Sequence, residues 1–303
     1  MKDVSGHEPV MLEEIIHWLD LKPGSIILDC TVGYCGHAEK ILESTAPDGA
    51  LYGIDRDPEA LNAARTRLGR FGTRIITIHG SFADLKWHLA GRGVSRVDGV
   101  LFDLGVSSPQ LDNPARGFSF QTDGPLDMRM DPTTGPTAAD IVNSTDEADL
   151  ADLIYRFGEE RFARRIARSI VRARSARPIG TSGELVAIIR DAVPAHYRHG
   201  RLHYATRTFQ GLRIAVNAEL DQLESALLDA VDVLSPRGRL CVISFHSLED
   251  RIVKRTYRSL SESRLQVLTK KPQMASENEV LRNPRSRSAK LRVAERLELE
   301  GRS

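Results

Sequence analysis

The sequence predicts an α/β fold in which a doubly wound, largely parallel sheet is interrupted by an inserted helical domain. Short apolar strands alternate with amphipathic helices in the first third of the chain, and the alternation returns after Thr206. Between Leu111 and Thr206 it stops, and helical segments follow a loop rich in Gly, Pro and Asp. We therefore expect one domain built from residues 1–110 and 207–303, with a second domain at 111–206.

The elements of the sheet domain follow from apolar runs and turn residues. An amphipathic segment from Val10 to Leu21 precedes a Lys22-Pro23-Gly24 turn. The predicted strands are Ser25–Asp29, Leu51–Ile54, Arg74–His79, Val97–Phe102 and Arg239–Ser244, with a final pair around Leu265 and Leu291. The predicted helices are one ending near Ser44, a long one over Phe209–Leu234, and one over Leu248–Leu260.

Composition limits the classes of protein that the chain can belong to. It has 303 residues, 41% of them hydrophobic, and a formal net charge of +1, so any basic surface must be local. Cys30, Cys35 and Cys241 form no C-x-x-C pair, which favours reduced thiols over a disulfide framework or a structural metal site. No secretory segment or long apolar stretch is evident, so we expect a cytoplasmic protein without a membrane partner.

A glycine loop after the first strand indicates a nucleoside-containing cofactor. The loop spans Thr31 to His37, and Asp55 ends the next strand nineteen residues after Gly36. At this spacing a carboxylate accepts hydrogen bonds from the ribose hydroxyls of an adenosine. Taken alone, the loop is equally typical of a plain strand-to-helix turn.

The incomplete glycine pattern favours a ligand without phosphates. A dinucleotide site has G-x-G-x-x-G at the start of a helix, and here the first Gly-x-Gly is missing. S-adenosylmethionine combines an adenosine with cationic groups, and Asp29, Asp55 and Asp103 end three predicted strands. Phe82, after a fourth strand, either lies against the adenine or packs in the core.

The segment after Asp103 predicts where an amine substrate binds. Asp103 ends an apolar strand, and Ser107, Ser108 and Pro109 form a corner just beyond it. Their hydroxyl and carbonyl oxygens can accept hydrogen bonds from an amine and direct its lone pair toward a methyl donor. Phe118 or Phe120 either stacks on the target base or packs the long loop.

Several long motifs resemble one enzyme family almost from end to end. They are GHEPVMLEE near the start, D-x-T-x-G-x-x-G-H from Asp29, IDRDP from Ile54, DLGVSSPQLD from Asp103, RGFSF from Arg116, DGPLDMRMDP up to Pro132, GEERFARRIAR from Gly158, ATRTFQGLRI from Ala205 and SFHSLEDRIVKR from Ser244. The chain thereby resembles the bacterial methyltransferases that modify the N4 amine of a P-site cytosine in 16S ribosomal RNA. The resemblance implies a Rossmann-like class I methyltransferase sheet of seven strands, S-adenosylmethionine as cofactor, and 16S ribosomal RNA within the small ribosomal subunit as partner.

The resemblance also assigns cofactor contacts to seven positions. These are Cys35, Gly36, His37, Asp55, Phe82, Asp103 and Gln110. The family's loop reads T-F-G-R-G-G-H, so Cys35 replaces a glycine, and Tyr204 replaces a proline elsewhere. If φ at position 35 is positive, the cysteine costs about 1 kcal/mol and weakens cofactor binding; if φ is negative, the backbone contacts are unchanged.

Other cytosine chemistry fits the residues poorly. Methylation at carbon 5 needs a cysteine nucleophile in a corner that faces the base, and the only neighbouring pair, Cys30-Thr31, lies in the cofactor loop. Deamination needs a zinc triad, which the sequence lacks. His246 either accepts a proton at the site or bridges a strand and a helix.

The helical insertion carries a basic face that we predict to contact RNA. Arg161, Arg164, Arg165, Arg168 and Arg172 share one face of a predicted helix, and apolar residues share another. The alternative is a solvated face whose arginines pair with Glu159, Glu160 and other acids.

Two further classes of function compete with a methyltransferase. A catalytically weak RNA-binding factor for ribosome assembly would keep the fold, and Cys35 is the residue that favours it. A nicotinamide dehydrogenase is opposed by the incomplete glycine pattern.

Overall fold

The computed structural model describes residues 9–298, in which the chain forms two compact units. Among the described residues, one unit comprises 9–105 and 220–298, and the other comprises Val106–Glu219. The helical unit thus starts earlier and ends later than the predicted 111–206. Part of the GHEPVMLEE motif lies outside the described residues.

Within residues 9–298 the structure contains eight strands and fourteen α-helices. The strands are β1 (Ile26–Asp29), β2 (Ala50–Asp55), β3 (Ile75–His79), β4 (Val97–Asp103), β5 (Leu234–Ser244), β6 (Leu265–Val267), β7 (Gln273–Met274) and β8 (Lys290–Arg296). The helices are α1 (Leu12–Leu19), α2 (Gly36–Ser44), α3 (Pro58–Leu68), α4 (Leu85–Ala90), α5 (Ser108–Asp112), α6 (Ala138–Ser144), α7 (Glu147–Gly158), α8 (Ala163–Arg174), α9 (Ser182–Ala192), α10 (Ala195–Arg198), α11 (Thr206–Asn217), α12 (Glu219–Val233), α13 (Ser247–Leu260) and α14 (Glu277–Arg282).

The first unit is built on one mixed sheet with the order β3-β2-β1-β4-β5-β8-β6. The first five strands of this order run parallel, and β8 is antiparallel to both β5 and β6. The two-residue strand β7 also pairs with β8. The predicted α/β class is therefore confirmed, and the predicted final pair of strands is present as β6 and β8. The described part of the sheet has eight strands, one more than the seven that the resemblance implies.

Alternating apolar side chains bury both faces of the sheet. In β1, Ile27 belongs to one apolar cluster and Leu28 to the other, and Leu101 and Phe102 divide in the same way in β4. Side chains of α1, α2 and α3 cover one face, whereas those of α4, α12 and α13 cover the other. Burial on both faces explains the uninterrupted apolar runs of the parallel strands.

The predicted long helix over Phe209–Leu234 is wrong, because the structure contains two helices. Ala218 has φ 49° and ψ 40° and separates α11 from α12. The preceding Asn217 is buried; its amide donates hydrogen bonds to Met128 O and Arg213 O, and its carbonyl accepts one from Met130 N. This side chain fixes the end of α11 to the long loop of the helical unit.

The helical unit has its own apolar core. Ile154 of α7, Ile166 and Ile170 of α8, and Leu212 of α11 are buried in one cluster. Helix α8 thus packs through the face that apolar spacing predicted. No helix in residues 9–298 is long and apolar enough to cross a membrane.

Candidate active site

Three carboxylates lie at the carboxyl ends of neighbouring strands. Asp29, Asp55 and Asp103 are the last residues of β1, β2 and β4, and β1 pairs in parallel with both of the other strands. Open parallel sheets bind ligands at this edge, where strand order reverses. The structure therefore brings together the three strand-end aspartates that the sequence singled out.

The glycine loop is fastened to the end of β2. Gly33 has φ 48°, and its N–H donates to Asp55 Oδ2 over 2.8 Å. Among the described residues, a Cβ built on Gly33 would meet Thr31 O alone, at 3.6 Å, so the side of Gly33 toward which a Cβ would point is open there. An adenosine can approach the backbone here, although the positive φ alone also explains the glycine.

Gly36 is glycine for a different reason from the one that the sequence suggested. A Cβ on Gly36 would lie 2.7 Å from Pro9 Cβ, which is too close for carbon atoms. The residue begins α2, so packing against the N-terminal segment excludes a side chain here. Its predicted cofactor contact could be made only by backbone atoms, and it stays a prediction.

Cys35 stands in the left-handed region, with φ 72° and ψ 18°. Its side chain is 1% exposed and packs in the apolar cluster of α1 and α2, and Sγ lies 3.6 Å from Gly33 O. Burial raises the pKa of the Cys35 thiol to about 12, so the thiol is protonated at neutral pH. The cysteine therefore combines favourable burial with a strained backbone.

Replacing Cys35 by Gly and by Ala separates these two effects. Both variants lose the buried sulfur, but only glycine relieves the left-handed strain, so Cys35→Gly should be more stable than Cys35→Ala by about 1 kcal/mol. We also expect Cys35→Gly to bind S-adenosylmethionine more tightly than Cys35→Ala. Urea unfolding and calorimetric titration measure both differences, and an alanine variant at least as stable as the glycine variant would contradict the strain argument.

Asp55 uses both carboxylate oxygens within the fold. Oδ2 accepts from Gly33 N, and Oδ1 accepts from Asp57 N over 2.8 Å. Burial raises the pKa of Asp55 to about 6 despite these donors, so the carboxyl is ionised at pH 8. Each oxygen has a further lone pair with which it can accept a ribose hydroxyl.

Asp103 is the least satisfied of the three carboxylates. Oδ1 is buried and has no hydrogen-bond partner among the described residues, while Oδ2 lies 3.7 Å from His37 Nδ1. Burial raises the pKa of Asp103 to about 8, and the charges of Asp29 and Glu249 contribute. A cationic ligand would offset this cost.

His37 and Asp29 complete the surroundings of Asp103. His37 Nε2 lies 2.9 Å from Val10 O, which can only accept, so this nitrogen carries a proton. Asp29 Oδ1 accepts from Thr31 N over 3.0 Å, and burial raises the pKa of Asp29 to about 7. Thr31 Oγ1 accepts from Asp103 N over 2.7 Å, so one threonine connects the ends of β1 and β4.

Phe82 opens a short 3₁₀ turn after β3 and is half-buried. Its ring packs edge-to-face on Phe102, with 5.6 Å between ring centroids. Phe82 therefore packs against the core, which was one of the two roles predicted for it. Its contact with an adenine stays a prediction.

The predicted amine corner belongs to the helical unit and forms the start of α5. Ser107 Oγ accepts from Gln110 N over 3.4 Å, and Gln110 Oε1 accepts from Ser107 N over 2.9 Å. The Pro109 carbonyl accepts from Asn113 N, and Ser108 is buried. These groups therefore hold the start of α5 together. Their predicted contacts with an amine or a cofactor would have to be made by lone pairs and protons that these hydrogen bonds leave available.

The two phenylalanines considered for base stacking differ in exposure. Phe118 is 6% exposed and lies in the core of the helical unit, so it is packed and not presented to solvent. Phe120 is half-buried and stacks on His203, with 4.7 Å between ring centroids and 6° between ring planes.

His246 has a structural role, because its Nδ1 accepts a hydrogen bond from Glu249 N at the start of α13.

The predicted basic face is present on and just before α8. Arg161, Arg164, Arg165, Arg168 and Arg172 are all exposed, whereas Ile166 and Ile170 are buried. The proposed pairing with Glu160 is wrong, because this buried carboxylate accepts from Phe162 N and the Tyr197 hydroxyl. Arg168 approaches Glu147, at 3.5 Å.

Sequence reasoning missed a second basic face and an exposed aromatic residue. Arg251, Lys254, Arg255 and Arg258 are exposed on α13 at helical spacing, a signal that the sequence did contain. Tyr155 of α7 is 63% exposed, although it lies within an otherwise amphipathic helix. Its exposure depends on how α7 packs, which spacing alone does not give.

Comparison with known proteins identifies the family. Two curated relatives called ribosomal RNA small subunit methyltransferase H are similar over nearly their full length. The protein of Syntrophotalea carbinolica is 49% identical, covering 98% of this chain and 99% of its own. That of Geobacter sulfurreducens is 51% identical, covering 96% and 99%. The model of the MraW methylase family matches residues 4–297, and this chain belongs to that family.

Proposed function

We propose that the protein transfers a methyl group from S-adenosylmethionine to the N4 amine of a P-site cytosine in 16S ribosomal RNA. The observation that carries this proposal is the Asp103 carboxyl, whose buried Oδ1 lacks a partner among the described residues, together with two further strand-end aspartates. The names of the relatives support ribosomal RNA of the small subunit as the substrate.

The residues at the sheet edge fit S-adenosylmethionine. Asp55 would hold the ribose, the open approach at Gly33 would admit the nucleoside, and Asp103 would face the cationic part of the ligand. Cys35, Gly36 and His37 would contribute from the loop, Phe82 from the adenine side, and Gln110 from the start of α5. When bound, the cofactor supplies an electrophilic methyl group on its sulfonium.

The residues of the chain must orient a weak nucleophile. The lone pair of the cytosine amine is delocalised into the ring, so acceptors for its hydrogens are needed to direct it. We assign this role to the corner of Ser107, Ser108 and Pro109. The raised pKa values of all three cysteine thiols oppose a covalent route through cysteine.

We assign RNA binding to Arg161, Arg164, Arg165, Arg168 and Arg172. If all five contact single-stranded phosphates, the slope of log affinity against log salt concentration approaches about −3.5. Replacing Arg164, Arg165 and Arg172 together by Gln should make this slope shallower by about 2. Arg190→Gln is the matched control, since Arg190 of α9 pairs with Asp191 at 3.0 Å. Equal slopes for the triple variant and the wild type would remove this surface from the proposal.

Methyl transfer to small ribosomal subunits tests the main proposal. The protein is incubated with labelled S-adenosylmethionine and subunits from cells that lack the corresponding enzyme, and the product is mapped by mass spectrometry. We expect N4-methylcytosine at one position, and no transfer to subunits from cells that retain the enzyme. RNA binding without cofactor binding or transfer would instead support an assembly factor.

A further inference from the structure

A groove of about 850 Å³ lies between α7 and α8 of the helical unit. Ala148, Asp152 and Tyr155 form one wall, spaced so that they share a face of α7. The other wall carries four arginines, which are Arg161, Arg164, Arg165 and Arg168. The volume is within the range of about 300–1,000 Å³ that is usual for small-molecule sites, so a nucleobase with its sugar can enter.

One arginine of this wall, Arg161, lies against two aromatic rings that the buried Glu160 carboxylate holds in place. Glu160 accepts from Phe162 N over 2.8 Å and from the Tyr197 hydroxyl over 2.6 Å. These contacts hold the rings of Phe162 and Tyr197 edge-to-face, with 4.9 Å between centroids. The Arg161 guanidinium lies 4.8 Å and 5.0 Å from the two ring centroids. Arg161 is therefore positioned by cation–π contacts before any anion arrives.

Tyr155 presents an aromatic ring opposite these cations. It is 63% exposed, although its neighbour Ile154 is fully buried. An exposed ring beside guanidinium groups suits a single-stranded nucleic acid, whose base stacks on the ring while its phosphates bind the cations. Carboxylates at Glu147 and Asp152 add acceptors for base amines and ribose hydroxyls, which an acidic peptide would not need.

We propose that Tyr155 is a stacking platform for an unpaired base of the RNA, with the flanking phosphates on Arg164 and Arg165. This inference rests on the proposed function, because it takes RNA as the substrate. It adds a base-binding site within the helical unit that the strand-end aspartates do not supply.

Binding of single-stranded RNA to the full chain tests the platform. The probe is a fluorescent oligonucleotide with the 16S sequence around the target cytosine, measured by anisotropy without cofactor. Tyr155→Ala should weaken binding about 10-fold, within the range of about 1–3 kcal/mol that stacking contributes per base. Tyr155→Phe should stay within about twofold of wild type, because the ring is retained.

Two controls make the result specific. Trp87→Ala removes an aromatic side chain that is 73% exposed in the other unit, and it should leave the affinity unchanged. The second control is a series of oligonucleotides, each with one abasic position. One of them should bind the wild-type protein about 10-fold more weakly than the intact oligonucleotide does, and Tyr155→Ala should not weaken the binding of that oligonucleotide any further.

The outcomes separate this inference from the proposed function. Unchanged RNA affinity in Tyr155→Ala would overturn the platform even if methyl transfer occurs. The platform would also be overturned if an acidic peptide bound in a manner that depends on Tyr155 while RNA bound in a manner that does not. Conversely, a Tyr155-dependent RNA affinity in a protein that transfers no methyl group would support the platform and overturn the proposed reaction.

Discussion

Replacing Asp103 by Asn is expected to weaken S-adenosylmethionine binding by about 30- to 150-fold, the effect of losing about 2–3 kcal/mol of interaction with a charged group. The same variant should unfold at a higher temperature than wild type at pH 8 when no cofactor is bound. Both effects come from one carboxyl, whose Oδ1 is buried without a partner among the described residues. Its ionised form is costly in the free protein and useful to a cationic ligand.

The sign of the pH dependence follows from the raised pKa. The pKa of Asp103 is about 8 in the folded protein, whereas a carboxyl in an unfolded chain has a pKa near 4. The folded state therefore holds a proton that the unfolded state has lost between about pH 4 and pH 8. This contribution to stability is fully present below about pH 4 and is lost as the pH rises through about 8. The difference in melting temperature should accordingly be small at pH 5 and largest at pH 8.

Cofactor binding should show the opposite trend with pH. The affinity of the wild type should rise between pH 6 and pH 8, since the cation favours the ionised carboxyl, and binding should release protons. His37 Nδ1 faces Asp103 Oδ2 at 3.7 Å, and Asp29 and Glu249 add negative charge, so the released protons belong to this group as a whole. Cofactor binding to Asp103→Asn should release fewer protons than binding to the wild type, and Asp29 should account for part of the release that remains.

Calorimetry in buffers of different ionisation enthalpy measures affinity and proton release together. Asp48→Asn removes an exposed carboxyl and should change neither quantity. An Asp103→Asn variant that binds the cofactor as tightly as wild type would remove Asp103 from the site. If that variant were less stable than the wild type at pH 8, the ionised Asp103 carboxyl would not destabilise the free protein.

Local patterns predicted most of the sheet and little of the helical unit's surface. The strand ends at Asp29 and Asp103 follow from the apolar runs before them, because strands that are buried on both faces are mostly apolar. The break at Ala218 could not be predicted, since alanine favours helices and the cause is Asn217, bonded to Met128 and Met130 far away in sequence.

The same distinction holds for the candidate site. Ser107 and Gln110 have the spacing of a capping box, so their mutual hydrogen bonds could have been predicted from the sequence. The contact of Gly36 with Pro9 and the exposure of Tyr155 depend on how distant segments pack. Residues that end strands are thus predicted best, and those whose role depends on a tertiary neighbour are predicted worst.

Asp55→Asn is expected to abolish the protein's preference for an intact ribose. At pH 8 the Asp55 carboxyl is ionised, because its pKa is about 6, and both oxygens already accept backbone N–H groups. An amide has one acceptor oxygen, so its NH₂ group must face either Gly33 N–H or Asp57 N–H and will displace one of them. The ribose then loses its acceptor, and either Gly33 N–H or Asp57 N–H loses its hydrogen bond to this side chain.

A pair of ligands isolates this contact from changes in stability. Wild type should bind S-adenosylhomocysteine about 10-fold or more tightly than its 2′-deoxy analogue, since a hydrogen bond to a charged group contributes about 1.5–3 kcal/mol. Asp55→Asn should bind the two ligands almost equally. Asp57→Ala is the matched control: Asp57 caps α3 by accepting from Glu59 N, so its loss should cost about 1 kcal/mol of stability and leave the preference intact. If Asp55→Asn kept the wild-type preference, the ribose would have to be held by another residue, and Asp55 would be left with the purely structural role of fastening Gly33.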